Sequence, residues 1–200
     1  MPAMFLNDPE GKKYKAAYFE GFPHVWTHGD FAYVNPETKG IVITGRSDGV
    51  LNPSGIRFGS GDIYAVLERH FKGKFLDAIC VAQQRHERDQ SERVLLFLQL
   101  PGEEMTVRED LVKGIKDAIA TDLSRRHVPN FVFAARRIPY NVNGKRLEIP
   151  LKAVISEGEK AFGKRKFTAE ERDVLEDFLP YFEVEKMAKN HGGGKVKAKL

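Results

Sequence analysis

The residues best suited to chemistry lie in two stretches, GRSDGVLNPSGIR from Gly45 to Arg57 and the later turn NVNGKR that carries Lys145. An arginine such as Arg46 or Arg57 offers a rigid fork of donors that fits a phosphate, and glycine lets the backbone approach a ligand closely. A lysine on a turn can place its charge against a developing oxyanion or a phosphoryl group. Together these residues predict a site for a phosphorylated ligand. The alternative is a surface hairpin and a turn lysine, both with solvated charges.

Further polar candidates flank the start of this segment. His28 and Asp30 stand in the sequence WTHGD, where Asp30 begins a predicted strand. The carboxylate of Asp30 could accept two hydrogen bonds from a ribose diol, or it could cap a turn. His28 could take part in catalysis, although an isolated histidine is more often a packing or capping residue. Asp48, between glycine-rich flanks, could be a hinge, because a few backbone positions can absorb a large change in φ and ψ.

Short apolar runs and helical stripes predict the elements that position these residues. The predicted strands are 30–34, 40–45, 76–83, 93–100 and 130–135, with the third and fourth paired, and the predicted helices are 62–71, 147–157, 168–179 and one that follows Thr106. Thr106 and Thr168 each stand three residues before a glutamate, a spacing that predicts a capping box. Pro180 is expected to end the last helix. The predicted fold class is α+β, a small domain with a hairpin and a short sheet flanked by helices.

Composition narrows the function classes. The net charge of +4 can be attributed to Lys189, Lys195, Lys197 and Lys199, so the rest of the chain is near neutral, which argues against a nucleic-acid surface. The single cysteine, Cys80, excludes an intrachain disulfide and a zinc site built on cysteine spacing, and it is expected to be a buried thiol. No apolar run approaches the roughly 20 residues that span a bilayer, and the N-terminus lacks the apolar stretch of a signal peptide. An intracellular, cytoplasmic protein is expected.

Three segments together resemble a known family. WTHGD, GRSDGVLNPSGIR and NVNGKR occur in the order and approximate spacing of the C-terminal motifs of the adenylate-forming acyl-CoA synthetases, and the match covers about residues 15 to 155. The longer segments HGDFAYVNPETKGIVITGRSDGVLNPSGIRFGSGDIY, LSRRHVP and IPYNVNGKR are closer still to the branch that activates acetoacetate. The resemblance implies an ATP-dependent ligase that adenylates a short acid, here acetoacetate, and transfers the acyl group to CoA.

The resemblance also implies roles for the motif residues in ATP chemistry. The nucleotide would be bound by Asp30, Arg46 and Arg57. Lys145 would bridge the substrate carboxylate and the α-phosphate during adenylation. Asp48 would be the hinge about which the C-terminal domain rotates between two half-reactions.

The CoA half-reaction is implied to use another set of residues. Ser54 and Gly55 would border the pantetheine tunnel when the domain is rotated, and Mg²⁺ would accompany the pyrophosphate leaving group. Two positions depart from the wider superfamily. His28 stands where threonine is common, and Gly49 stands where a second aspartate is common, which leaves Asp48 as the clearer hinge.

The resemblance predicts that large parts of the enzyme lie elsewhere, because the family's phosphate loop, adenine pocket and acyl pocket belong to a larger N-terminal domain. We therefore expect a C-terminal fragment that is inactive alone. Its predicted parts are a remnant of the large domain (1–45), a mobile lid domain (46–157), a helical extension (158–190) and a flexible basic tail (191–200).

Several alternatives to this interpretation stay open. The chain could serve a ligase for another short-chain acid, or it could be a standalone lid-like domain that binds a partner without catalysis. A nucleic-acid binder has little support, because the aromatic residues are not interleaved with the lysines. The last residues, Ala198-Lys199-Leu200, are close to the S-K-L peroxisomal signal, so a peroxisomal location is the alternative to a cytoplasmic one.

Overall fold

The computed structural model describes residues 4–22, 24–46, 49–55, 57–102 and 104–190. The chain falls into two compact units, Met1–Asp48 and Gly49–Leu200, and each has its own sheet. The predicted fold class, α+β with a hairpin and a short sheet flanked by helices, is confirmed. Within the described ranges, no helix combines the length and the apolar character needed to cross a membrane.

The first unit contains a short helix and an antiparallel hairpin. Helix α1 is Lys12–Tyr18, and the hairpin pairs β1, Asp30–Val34, with β2, Ile41–Arg46. The predicted turn forms because Asn35 Oδ1 accepts hydrogen bonds from two backbone N–H groups at 2.8 and 3.0 Å and Lys39 takes a positive φ of 59°. Helix α1 was not predicted, since none of its residues is buried and no apolar stripe marks it.

The second unit is built on a three-stranded sheet. Its strands β3, Asp77–Gln83, β4, Arg93–Gln99, and β5, Phe131–Ala135, lie in the order β3-β4-β5. The first pair is antiparallel, as predicted, and the second pair is parallel. Each strand is buried along nearly its whole length, so it appears in the sequence as a continuous apolar run rather than an alternating one.

Helices cover both faces of this sheet. One face carries α2, Ser60–Phe71, and α3, Glu109–Asp122; the other carries α4, Glu148–Glu157, α5, Lys160–Lys164, α6, Ala169–Glu176, and α7, Val184–Asn190. Successive strand residues therefore enter different cores. Cys80 and Leu96 pack against α2 and α3, whereas Ile79 and Phe97 pack against the later helices. Cys80 is buried, as predicted.

The start of α3 differs from the prediction. Thr106 and Glu109 do not form a capping box; the residue that precedes the helix is the extended Arg108, and no side chain caps the first turn. The reason is that Val107 is buried in the core. A helix that began directly after Thr106 would have to wind this residue into its first turn.

The end of the predicted helix 168–179 is also wrong. Its capping box is confirmed, because Thr168 Oγ1 accepts from the Glu171 N–H at 3.1 Å and Glu171 Oε2 accepts from the Thr168 N–H at 3.1 Å. However, α6 already ends at Glu176, and Pro180 lies in a 3₁₀ turn, Leu179–Glu183, that leads into α7. Proline is tolerated there because the first residues of a helical turn need no N–H donor.

A charged network ties the β3–β4 connection to the last helix. Arg85, nearly buried, donates to Asp89 at 2.8 Å and, through both terminal nitrogens, to the carboxylate of Glu185 at 2.6 and 2.9 Å. Arg93 donates to Glu185 at 2.6 Å. The bidentate geometry makes this a strong attachment between α7 and the sheet.

Replacing Glu185 by glutamine is expected to flatten the acid dependence of stability. The bonds from Arg85, with a smaller effect of Arg93, hold the pKa of Glu185 at about 2, below its ordinary value of 4.5. Because the folded pKa is below the unfolded one, the carboxylate stabilises the fold above pH 4.5 and loses this effect as the pH falls towards 2. Solvent screening of this half-exposed group limits the effect to about 1 kcal/mol. Urea unfolding between neutral and acid pH measures it.

Glu176→Gln is the matched control. Glu176 accepts a hydrogen bond from Arg172 at 2.8 Å on the exposed side of α6, away from the Arg85 network. This variant is expected to keep the acid dependence of the unmodified chain. The prediction fails if Glu185→Gln and the unmodified chain lose stability equally between neutral and acid pH.

Candidate active site

Lys145 lies in a closed loop that begins at Tyr140 and ends at Arg146, two residues that form an antiparallel bridge. Asn141 closes the loop: its backbone N–H donates to the Lys145 carbonyl, and its Oδ1 accepts from the Lys145 N–H, both at 2.9 Å. Gly144 has a φ of 71°, the left-handed conformation that glycine adopts without strain. The loop therefore has a defined backbone, and Lys145, the residue before its closing residue Arg146, is exposed.

Both ends of this loop are bound to one carboxylate. Tyr140 Oη donates to Asp77 Oδ2 at 2.6 Å, and Arg146 Nη2 donates to Asp77 Oδ1 at 2.6 Å. Partial burial alone would raise the pKa of Asp77, but these bonds outweigh it and the pKa is lowered. The Arg146 guanidinium also lies over the Tyr64 ring, 4.6 Å from its centroid. None of these residues was predicted from the sequence; the turn N-x-N-G could have indicated Tyr140 and Arg146, but nothing marks Asp77.

A second anchor follows the loop directly. Glu148, the first residue of α4, accepts hydrogen bonds from Ser60 Oγ at 2.9 and 3.0 Å and from Tyr64 Oη at 2.6 Å. Burial, and then the charge of Glu148, raise the pKa of the Tyr64 hydroxyl well above its ordinary value, so this hydroxyl is a donor at neutral pH. The start of α2 and the start of α4 are thereby joined.

The segment that precedes α2 holds the predicted CoA-facing residues. Residues Pro53–Gly55 form a 3₁₀ turn, and Gly55 has a φ of 85° with open space where a Cβ would lie, so its conformation rather than crowding requires glycine. The Asn52 N–H donates to Glu92 Oε2 at 2.6 Å, which fixes the beginning of the turn. Arg57 is exposed, and the side chain of Ser54 is outside what the structure describes.

In the first unit, the hairpin brings two predicted nucleotide residues together. Asp30 and Arg46 are direct cross-strand partners of β1 and β2, although they come from different sequence motifs. The Asp30 carboxylate is in close contact with His28 Nδ1. The structure describes the backbone of Arg46 but not its side chain.

Some predicted features lie outside the described residues. These are the hinge residue Asp48 and the tail 191–200 with the tripeptide Ala198-Lys199-Leu200. The peroxisomal location therefore stays a prediction. The other site residues divide between the units: Asp30 and Arg46 belong to the first, and Gly55, Arg57 and Lys145 belong to the second.

The fold of the described part is that of the adenylate-forming enzymes. Among solved structures, O-succinylbenzoate coenzyme A synthetase (MenE) from Bacillus subtilis, in complex with AMP, aligns with a TM-score of 0.57 at 19% identity, over 75% of this chain and 27% of that one. At this identity the likeness concerns the fold alone. No protein-family model matches the chain.

In sequence, the chain is a homologue of acetoacetyl-CoA synthetases. It is 48% identical to the acetoacetyl-CoA synthetase of Gallus gallus over 155 residues, which are 78% of this chain and 22% of the relative. The structure of the acetoacetyl-CoA synthetase from Streptomyces lividans aligns with a TM-score of 0.72 at 32% identity, over 95% of this chain and 26% of that one. The predicted resemblance is confirmed, and the chain spans about a fifth of the length of the curated relatives it matches.

Proposed function

We propose that this chain is the C-terminal portion of an ATP-dependent acyl-CoA ligase that adenylates acetoacetate and transfers the acyl group to CoA. The observation that carries the proposal is the exposed Lys145 in a closed, doubly anchored loop, in a chain that is 48% identical to an acetoacetyl-CoA synthetase over 155 residues. The finer assignment to acetoacetate rests on this similarity. The resemblance implies that the residues selecting the acid would lie in the larger N-terminal domain of such an enzyme.

Lys145 would act in the first half-reaction. A carboxylate oxygen attacks the α-phosphorus of ATP, the bond to the bridging oxygen breaks, and pyrophosphate leaves. The two reacting groups are both anions, so the ammonium of Lys145 would reduce their repulsion and align them. ATP would enter as its Mg²⁺ complex. The ion would be carried by the phosphates of the substrate.

Asp30, Arg46 and Arg57 would hold the nucleotide. Asp30 is placed in β1 as the partner of the residue Arg46 in β2, which supports a joint role for them at the ribose. The carboxylate of Asp30 would accept bonds from the ribose hydroxyls. Arg46 would contact the ribose or a phosphate, and Arg57 would contact the phosphates.

Rotation about Asp48 would separate the two half-reactions. The boundary between the compact units falls directly after this residue, which supports its role as the hinge. The second half-reaction, attack of the CoA thiol on the acyl carbon with release of AMP, would take place after Lys145 has withdrawn. Ser54 and Gly55 would then border the pantetheine tunnel, where the side-chain-free Gly55 leaves space for a ligand.

A chimera tests the proposed function. The matched stretch of the Gallus gallus relative is replaced by the full 200-residue chain, and acetoacetate-dependent ATP–pyrophosphate exchange and acetoacetyl-CoA formation are measured. The chimera is expected to support both reactions. The isolated chain is expected to support neither, and the relative with the stretch deleted is the negative control. A chimera that is folded but inactive in both reactions would contradict the proposal.

A second candidate function is binding of a partner without catalysis. It is favoured by the apolar side chains that the first unit exposes on its hairpin, which include Ile41 at 74%, Ile43 at 65% and Val34 at 60%. The chimera distinguishes the two functions, because a non-catalytic domain would fold in it without restoring the exchange reaction.

A further inference from the structure

The position of Lys145 depends on the two ends of its loop. The residues from Val142 to Lys145 are all exposed, and within the described part of the chain no side chain forms a hydrogen bond or ion pair with Lys145 Nζ. The bonds inside the loop close it only while its two ends stay together, and they do not set its orientation on the domain. Orientation must come from the residues where the loop joins the domain.

Asp77 is suited to set this orientation because its two carboxylate oxygens are divided between the loop ends. Oδ2 accepts from Tyr140, where the loop begins, and Oδ1 accepts from Arg146, where it ends, each at 2.6 Å. Asp77 itself is the first residue of β3, a strand held between two cores. The side chain of Asp77 thus attaches both ends of the loop to a rigid strand.

The ring of Tyr64 restricts the loop further. It lies under the Arg146 guanidinium, and its hydroxyl is itself fixed by bonds to Glu148 and to the Cys80 N–H, at 2.6 and 2.9 Å. A guanidinium that is bonded in its plane and stacked on one face keeps few orientations. Arg146 is adjacent to Lys145 in the chain, so its immobilisation extends to the backbone of Lys145.

We propose that Asp77 is a positioning residue for Lys145: by holding Tyr140 and Arg146 together, it fixes where the lysine ammonium meets the reacting groups during adenylation. The inference rests on the proposed function for its catalytic consequence. It concerns the first half-reaction only, because Lys145 would be withdrawn during thioester formation.

Asp77→Asn in the chimera tests the catalytic consequence. The amide keeps a single acceptor oxygen and carries no charge, so the ion pair with Arg146 is lost and the two loop ends are held together more weakly. Adenylation, measured as ATP–pyrophosphate exchange, is expected to fall about 10- to 100-fold, the effect of a small misplacement of a reacting group. Thioester formation from supplied acetoacetyl-adenylate is expected to stay within about twofold of the unmodified chimera. A purely structural role would reduce both half-reactions equally, and that result, or no loss in either, would overturn the proposal.

Asp122→Asn is the matched control. Like Asp77, Asp122 accepts two side-chain hydrogen bonds, from Arg69 Nη1 at 2.9 Å and from His70 Nε2 at 2.8 Å. Unlike Asp77, it lies at the end of α3 and has no bond to the loop that carries Lys145. Its variant is expected to leave both half-reactions unchanged. Asp77→Glu, which keeps both carboxylate oxygens, is expected to recover part of the adenylation rate.

Hydrogen exchange, compared between the 200-residue chain and its Asp77→Asn variant, tests the positioning of the loop without an activity assay. In Asp77→Asn, the Lys145 amide, which donates to Asn141 Oδ1, is expected to exchange about tenfold faster, whereas amides of β4 keep their rates. Unchanged exchange at Lys145 would contradict the proposal. An inactive unmodified chimera would instead reject the proposed function, and the exchange result would still decide whether Asp77 orders the loop.

Discussion

Lys145→Ala in the chimera is expected to lower acetoacetate-dependent ATP–pyrophosphate exchange by at least about 100- to 1,000-fold, the loss seen when a single preorganised charge or donor is removed from a transition state. Without the ammonium, the attacking carboxylate and the α-phosphate would repel each other and lack a common partner. Thioester formation from supplied acyl-adenylate is expected to remain near the unmodified rate, since that step would not use the lysine. The two half-reactions are assayed separately.

Lys113→Ala is the control for Lys145→Ala, because it removes an exposed lysine outside the loop. Lys113 is an exposed residue of α3, remote in sequence from the loop that carries Lys145. Both half-reactions should be unaffected by its removal. Equal losses in the two half-reactions of Lys145→Ala would show that the lysine supports the fold or a common step, and the role assigned to it in adenylation would be wrong.

Phe97→Ala is expected to destabilise the second unit by about 3–5 kcal/mol, the range for removing a buried aromatic side chain. Phe97 lies in the central strand β4 and is 0% exposed. Its ring meets those of Tyr181, Phe178 and Phe133 at centroid distances of 4.8, 5.0 and 5.8 Å. The substitution would open a cavity between the sheet and the last helices. Urea unfolding followed by circular dichroism measures the loss.

Two variants bracket this effect. Phe97→Leu keeps most of the apolar volume and is expected to cost about 1 kcal/mol. Leu76→Ala removes a side chain that is 66% exposed just before β3, and its effect should stay within about 0.5 kcal/mol. A loss below about 1 kcal/mol for Phe97→Ala would mean that packing around Phe97 does not hold the helices beyond Gly158 against the sheet.

Much of the sheet could be predicted from the sequence because its strands are short apolar runs with clear ends. β1, with the bounds Asp30–Val34, coincides with its prediction, and the antiparallel pairing of β3 and β4 follows from the polar loop between them. The division of each strand between two cores was not predictable. When both faces are buried, the period of two disappears from the hydrophobicity pattern.

Helix ends and anchoring side chains were harder to predict from the sequence, for different reasons. The capping pattern at Thr106 satisfied the sequence rule, but burial of Val107 decided where α3 begins. Lys145 could be singled out because a motif surrounds it. Asp77 accepts hydrogen bonds from Tyr140 and Arg146 but lies 63 and 69 residues before them in the chain. No local sequence pattern connects positions at such separations.

The burial of Cys80 makes this chain convenient for spectroscopy. It is the single cysteine, and burial, together with the charge of Glu148, raises its pKa well above the ordinary value, so its thiolate population at neutral pH is negligible. A maleimide dye would therefore attach selectively to a thiol introduced at the surface. Val142, which is 84% exposed in the same loop as Lys145, offers such a position, and a fluorophore there would test the movement that we propose for the loop between the two half-reactions.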